Sequence, residues 1–223
     1  MKTRRATAYL QPALLLLAML FAFPFVLYAV QFGQGGLRNA LPEPHYIFSD
    51  NATANIGIFT HMITGALVTL LVPLQLFPSL RAKAPRWHRW SGRIIIMSAL
   101  ITAVGGLIYI GLRGTIGGTA MNIGFALYGV LILIAATQTV RHARSGRISA
   151  HHDWALRLFW LALGSWLYRV HYGLWYLATG GLWSNPQFTG GFDLAQNIGF
   201  YVPYLIGVEL YLARKRRPVH RHP

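Results

Sequence analysis

The sequence predicts an all-α integral membrane protein, a six-helix transmembrane bundle with both termini in the cytoplasm. Three observations predict it. Of 223 residues, 54% are hydrophobic and 11% charged, against about 25% charged in a soluble domain. Six apolar runs each come close to the roughly 20 residues that a helix needs to cross a bilayer. The basic residues gather in alternate connections between those runs, which is the positive-inside pattern.

The spans fall at about 9–30, 56–79, 93–113, 119–140, 153–177 and 194–213, making 1–223 a single membrane domain with a basic cytoplasmic tail at 214–223. Lys2, Arg4 and Arg5 precede the first span, as they would in a signal peptide. Its apolar run is too long for that, and no small-x-small cleavage site follows. It is read as an uncleaved helix. One side receives Lys2, Arg4 and Arg5, then Arg81, Lys83, Arg86, Arg89 and Arg93, then Arg141, Arg144 and Arg147, and finally Arg214, Lys215, Arg216, Arg217 and Arg221. The other holds Arg38 and Arg113 with Glu43, Asp50 and Asp193. An even helix number with this asymmetry places both ends inside a bacterial cytoplasmic membrane.

The loop from about 31 to 55, broken by Pro42 and Pro44, is the longest connection and either caps the outer face or merely links. The connections at 114–118 and 180–193 are Gly-rich and turn-like.

The formal net charge is +15. Because the charge follows topology, it points to the bilayer and anionic headgroups rather than to nucleic acid. The chain has no cysteine, which excludes thiolate catalysis, iron–sulfur clusters and Cys-ligated zinc. It also lacks a P-loop, a G-x-G-x-x-G, a Ser-His-Asp order and paired carboxylates. Small residues inside the spans, namely Gly65, Gly105, Gly106, Gly124, Gly129 and Gly164, permit close helix approach. Gly65 shares a helix face with His61 and leaves room there for something flat or for a neighbouring helix.

Ionisable residues within spans are costly and face an interior or a cavity. These are His61, Arg157, Arg169, His171 and Glu209, with His88, His151 and His152 at the inner boundary. Depth sorts them into two layers. His61, His171 and Arg169 lie in an outer layer, and His88, His151, His152 and Arg157 in an inner one. Glu209 matches Arg157 in depth, so the two should pair, since opposite charges at one depth are cheaper together. The segments His88-Arg89-Trp90-Ser91-Gly92-Arg93 and His152-Asp153-Trp154-Ala155-Leu156-Arg157 both read H-x-W-x-x-R and each opens a span, which suggests related hairpins.

Three functions fit, the favoured one being b-type haem binding with transmembrane electron transfer. A b-type haem for transmembrane electron transfer would use His61 with His171, or His88 with His151 or His152, and Arg93, Arg157 and Arg169 would neutralise propionates. His152 and His171 are about 28 Å apart along one helix, so an inner haem would be half in water, and a single outer haem is favoured. A proton-coupled carrier or a metal site on His61 and His171 would use the same polar set. A structural role would make the chain an accessory subunit of a membrane complex.

Three segments, His61-Met62-Ile63-Thr64-Gly65-Ala66, Pro73-Leu74-Gln75 and the His88–Arg93 segment, resemble the bacterial membrane family "domain of unknown function 2306". So do His151–Arg157, Arg169, Asn197 and Glu209. The resemblance covers about 56–215. It implies a multi-helix membrane protein of unassigned activity and names no substrate. The family pattern selects His151, whereas the internal echo selects His152. His171 is not part of that pattern, and Ala155 stands where the family carries Met.

Overall fold

The computed structural model describes residues 2–41 and 47–216, the side chains of 2–11 and of Pro78 excepted. Pro42, Glu43, Pro44, Arg217 and Arg221 lie outside the described residues. Those residues contain helices and no strand: α1 (Lys2–Leu37), α2 (Ala52–Leu71), a 3₁₀ turn (Val72–Leu76), α3 (Pro78–Lys83), α4 (Pro85–Leu112), α5 (Gly118–Arg144), α6 (Ile148–Thr179), α7 (Gly191–Gly199) and α8 (Val202–Arg216).

Local chemistry sets the helix ends. Asn51 caps α2, its Oδ1 accepting from the N–H groups of Thr53 and Ala54 at 2.9 and 3.2 Å. Such a cap satisfies two of the donors that every helix start leaves open. Pro85 occupies the first position of α4, where its missing N–H costs nothing. Gly180 ends α6 at φ 68°, a left-handed conformation that glycine adopts without strain.

Among the described residues four stretches are long and apolar enough to cross a membrane, 12–37, 52–76, 85–112 and 118–144; the expected spans at 153–177 and 194–213 are not among them. The helices overrun most of the expected spans. α1 continues to Leu37 through Pro12 and Pro24, α4 starts eight residues before position 93, and α6 covers 148–179. At about 1.5 Å per residue α6 is about 48 Å long, beyond a hydrocarbon core of about 30 Å. The expected sixth span is broken into α7 and α8. Pro203 stands in the first turn of α8 and has no N–H to continue the ladder. At the break Phe200 and Tyr201 are fully buried, and the Tyr201 hydroxyl donates to the Gly124 carbonyl at 3.1 Å. Anchoring those two rings in the core turns the chain away from a single straight helix.

Helices α2, α4, α5 and α6 pack pairwise into a closed ring; α1 lies outside on α2, and α7 and α8 cover α5 and α6. Neighbours within the ring run antiparallel. Gln75 near the end of the α2 unit meets Ser91 near the start of α4, while His61 meets Thr102 further along. All the described Lys and Arg residues between 81 and 93, 141 and 147, and 214 and 216 therefore lie at one end of the bundle, the basic end.

The glycines act as packing positions. A Cβ on Gly105 would stand 2.5 Å from the Gly57 carbonyl, one on Gly124 would stand 2.5 Å from the Asn197 carbonyl, and one on Gly164 would stand 2.8 Å from the Tyr128 hydroxyl. At Gly65 the space is taken by a neighbouring helix, with the Thr102 methyl 3.4 Å from where a Cβ would be. At the opposite end the described part of the long loop caps α4. Tyr109 donates to the Ile47 carbonyl at 3.0 Å, and Arg113 Nε to the Phe48 carbonyl at 3.1 Å.

Candidate functional site in the helix ring

His61 projects from α2 onto α4, where Gly105 and Gly106 leave room for its ring; a Cβ on Gly106 would stand 2.9 Å from Nδ1. Nδ1 lies 2.7 Å from the Thr102 carbonyl oxygen. A carbonyl only accepts, so Nδ1 carries the proton and Nε2 keeps its lone pair. Thr64 donates its hydroxyl to the Thr60 carbonyl, so the Thr102 hydroxyl donates to Thr64 Oγ1 at 2.7 Å.

A cavity of about 30 Å³ lies between the four helices, and its polar lining is His61, Thr102, Tyr128 and Ser165. Its apolar wall includes Gly65, Ile132 and Leu158. Each enclosed water needs about 10–15 Å³ of such space and two to four polar partners, so this cavity suits about two waters. The Tyr128 hydroxyl donates to the Leu161 carbonyl and still presents lone pairs. Arg169 lies within electrostatic range of His61 and Tyr128. Its Nη1 donates to the Ser165 carbonyl at 2.9 Å, and its guanidinium sits 4.5 Å over the Phe25 ring of α1.

The outer layer is organised differently from the expectation. His171 does not present a nitrogen to His61. Its Nε2 accepts from the Tyr204 hydroxyl at 2.7 Å, and its Nδ1 lies 3.3 Å from Gln196 Oε1. The His171 and Tyr204 rings stack at 5.9 Å. Both nitrogens of His171 are thus engaged by Tyr204 and Gln196, while His61 is engaged by Thr102.

Asp193, fully buried, accepts from the Tyr172 and Ser184 hydroxyls at 2.7 and 2.8 Å and from the Asn185 and Gly190 N–H groups, both at 3.0 Å. Burial opposes its charge, but these four donors outweigh it and hold its carboxyl below the ordinary range. Asn197 is buried against Gly124, and neither its Oδ1 nor its Nδ2 has a partner.

The basic end brings together more histidines than expected. His151 Nδ1 lies 3.0 Å from the Thr139 carbonyl. His88, His142 and His152 each lie within electrostatic range of His151, and each has a buried Nδ1 without a partner. The two H-x-W-x-x-R segments also repeat in space. Arg93 lies 5.3 Å over Trp90, and Arg157 lies 4.6 Å over Trp154. Arg93 is exposed and lines no interior site.

Arg157 and Glu209 pair as expected, Nε to Oε1 at 2.6 Å and Nη2 to Oε2 at 2.8 Å. A second tie between the same helices joins buried Asp153 to Arg216 at 2.6 Å. Among the described residues no three of His, Asp and Glu converge to hold a metal ion.

Residues 58–209 match a family of predicted membrane proteins, DUF2306. The chain belongs to that family. The matched stretch contains every polar residue described above between His61 and Glu209, and stops short of Arg216. No curated protein and no solved structure is similar to the chain.

Sequence reasoning missed Thr102, Tyr128 and Ser165 because they carry no charge and read as ordinary span residues. It missed His142 and the Asp153–Arg216 pair because both lie in flanks that topology alone explained. The spacing gave one usable signal, since Asp153 and Arg157 stand one turn apart and Glu209 and Arg216 two turns apart on an antiparallel partner.

Proposed function

We propose that the protein is a proton-coupled carrier of the bacterial cytoplasmic membrane, with six spans and both termini inside, the sixth span being the α7–α8 pair. The observation that carries this reading is the cavity at the centre of the ring, lined by His61, Thr102, Tyr128 and Ser165. Of these four side chains the imidazole of His61 is the one suited to accept and release a proton. Thr102 fixes its ring so that the free Nε2 is the proton-accepting atom. Waters in the cavity would deliver the proton to Nε2, and the hydroxyls of Tyr128 and Ser165 would orient them. Buried ionisable groups in a bundle interior are what proton relays use.

The test uses purified protein in liposomes that contain a pH-sensitive dye. With a pH gradient imposed, vesicles carrying the protein should move protons faster than empty ones, and His61→Ala should abolish the difference while His171→Ala keeps it. Equal rates in protein-containing and empty vesicles would remove the reading.

A second reading is favoured by one specific observation. His151 commits Nδ1 to the Thr139 carbonyl, the arrangement that orients a ligating histidine, and His88 on α4 lies within electrostatic range of it. These two would be the axial ligands of a single b-type haem at the basic end, feeding electron transfer. An optical spectrum of the dithionite-reduced protein decides it: a sharp α-band that His88→Ala removes supports it, and a colourless protein from haem-replete cells rejects it. Accessory function in a larger membrane complex would share the same fold and leave both tests negative.

A further inference from the structure

We propose, resting on the proton-carrier reading, that protons pass between the central cavity and the surface opposite the basic end along Tyr176, Ser184, Asp193, Tyr172 and Tyr168, with Phe200 as the barrier at the inner end. These five side chains are joined by hydrogen bonds. The Tyr172 hydroxyl donates to Asp193 Oδ1 at 2.7 Å, and the Ser184 hydroxyl donates to the same oxygen at 2.8 Å. A carboxylate only accepts, so both hydroxyl protons are committed there. Tyr168 then donates to Tyr172, and Tyr176 to Ser184, each at 3.3 Å. Two donor chains thus meet on one fully buried carboxylate. One starts at the exposed Tyr176. The other starts at Tyr168, whose ring packs edge-on against Phe125 and Phe200.

Protons balance along this chain. A proton handed from Tyr176 through Ser184 neutralises Asp193. The carboxyl then donates to the Tyr172 oxygen, Tyr172 turns and donates to Tyr168, and Tyr168 releases its own proton inward. Each hydroxyl takes one proton and gives one, so the tyrosines and the serine stay neutral and only Asp193 changes charge. The N–H groups of Asn185 and Gly190, both 3.0 Å from Asp193 Oδ2, hold the carboxyl in place throughout.

Inward of Tyr168 the helix register sets the next step. Gly164 of α6 faces Tyr128 of α5, where a Cβ would stand 2.8 Å from the hydroxyl. The two helices run antiparallel, so one turn outward Tyr168 is level with Gly124. Asn197 packs on Gly124, and neither polar atom of its buried amide has a partner. Nε2 of the neighbouring Gln196 is likewise buried without one. Ordered water serves buried polar atoms of this kind, and water at this level would take the proton from Tyr168. Next on that face, three residues on, comes Phe200, fully buried. Its ring lies 5.3 Å from that of Tyr168 and 4.9 Å from that of Tyr128, so it joins the end of the outer chain to the wall of the cavity. An apolar ring carries no proton, so the path is closed there in this conformation. Phe200 sits in the joint between α7 and α8, which can turn without breaking either helix.

The experiment uses the full-length protein in liposomes that hold a pH-sensitive dye, under an imposed pH gradient. Tyr172→Phe removes one hydroxyl and keeps the ring contacts with Phe188 and Phe192. It should slow proton movement about a hundredfold, as loss of a positioned proton-transfer group does. Ser184→Ala, in the connection before α7, should slow it likewise, so the outcome does not depend on one variant folding. Tyr211→Phe, at an exposed tyrosine of α8, should leave the rate unchanged. Phe200→Leu should raise the rate, and adding Tyr172→Phe to it should cancel the gain. A wild-type rate in Tyr172→Phe or in Ser184→Ala, no gain in Phe200→Leu, or a gain that survives in the double variant would overturn the path and leave the carrier reading in place. Absence of proton movement by the wild type would overturn both.

Discussion

Arg157 grips Glu209 through both Nε and Nη2, at 2.6 and 2.8 Å, and so ties α6 to α8 at one depth of the bundle. Asp153 and Arg216 repeat the tie nearer the basic end. Both pairs join the same two helices in antiparallel register, so together they fix the register of α8, the element that follows the break at Phe200 and Tyr201.

The Arg157–Glu209 pair should show a coupling on the order of 1 kcal/mol in a double-mutant cycle. The value is kept modest because Glu209 is 55% exposed. Unfolding of Arg157→Gln, Glu209→Gln and the double variant in mixed micelles measures it. A coupling of zero would mean that the pair only decorates the surface.

Asp153→Asn should cost more, about 1–3 kcal/mol, because it leaves a buried site with a broken charge-assisted bond. Hydrogen exchange should then rise across 202–216 before it rises in α2 or α4.

The crossing of α2 and α4 predicts opposite outcomes for two glycines on one helix. Gly105→Ala would press a methyl against the Gly57 carbonyl and should destabilise by about 1–3 kcal/mol. Gly111→Ala meets nothing within 4 Å and should stabilise by about 0.5–1 kcal/mol, through the higher helix preference of alanine. Thermal unfolding of the two variants checks both signs.

Asp193 makes a pH prediction. Its folded-state carboxyl is held below the ordinary value by four donors, against the opposing effect of burial. Its contribution to stability is therefore complete above the ordinary carboxylate pKa and fades as pH falls through the lower folded-state value. Acid should loosen the 180–199 segment before neutral or alkaline pH does, and Asp193→Asn should remove that dependence. Limited proteolysis as a function of pH reads it out.

What was legible in the sequence followed from charge and apolar length, and what was not followed from hydrogen bonding. The helical membrane class and the Arg157–Glu209 pair could be read because hydropathy, depth and sign are properties of single residues. The break in the sixth span could not, because it depends on Phe200 and Tyr201 finding space in a core built by α5 and α6. The outer His61–His171 pairing was expected from shared depth alone. Depth does not give azimuth, and azimuth turns His171 toward Tyr204 and Gln196 while His61 faces Thr102. The central cavity was invisible because its wall is mostly neutral hydroxyls and small residues.

The measurement that tests the central claim most directly is the nitrogen-15 spectrum of histidine-labelled protein in lipid nanodiscs, with His61 assigned by comparison with His61→Gln. The account predicts that at neutral pH His61 is protonated on Nδ1 and bare on Nε2, and that Nε2 takes up a proton when the medium is acidified. A proton on Nε2 at neutral pH, or a His61 signal that ignores acidification, would contradict a proton-accepting role for the central site.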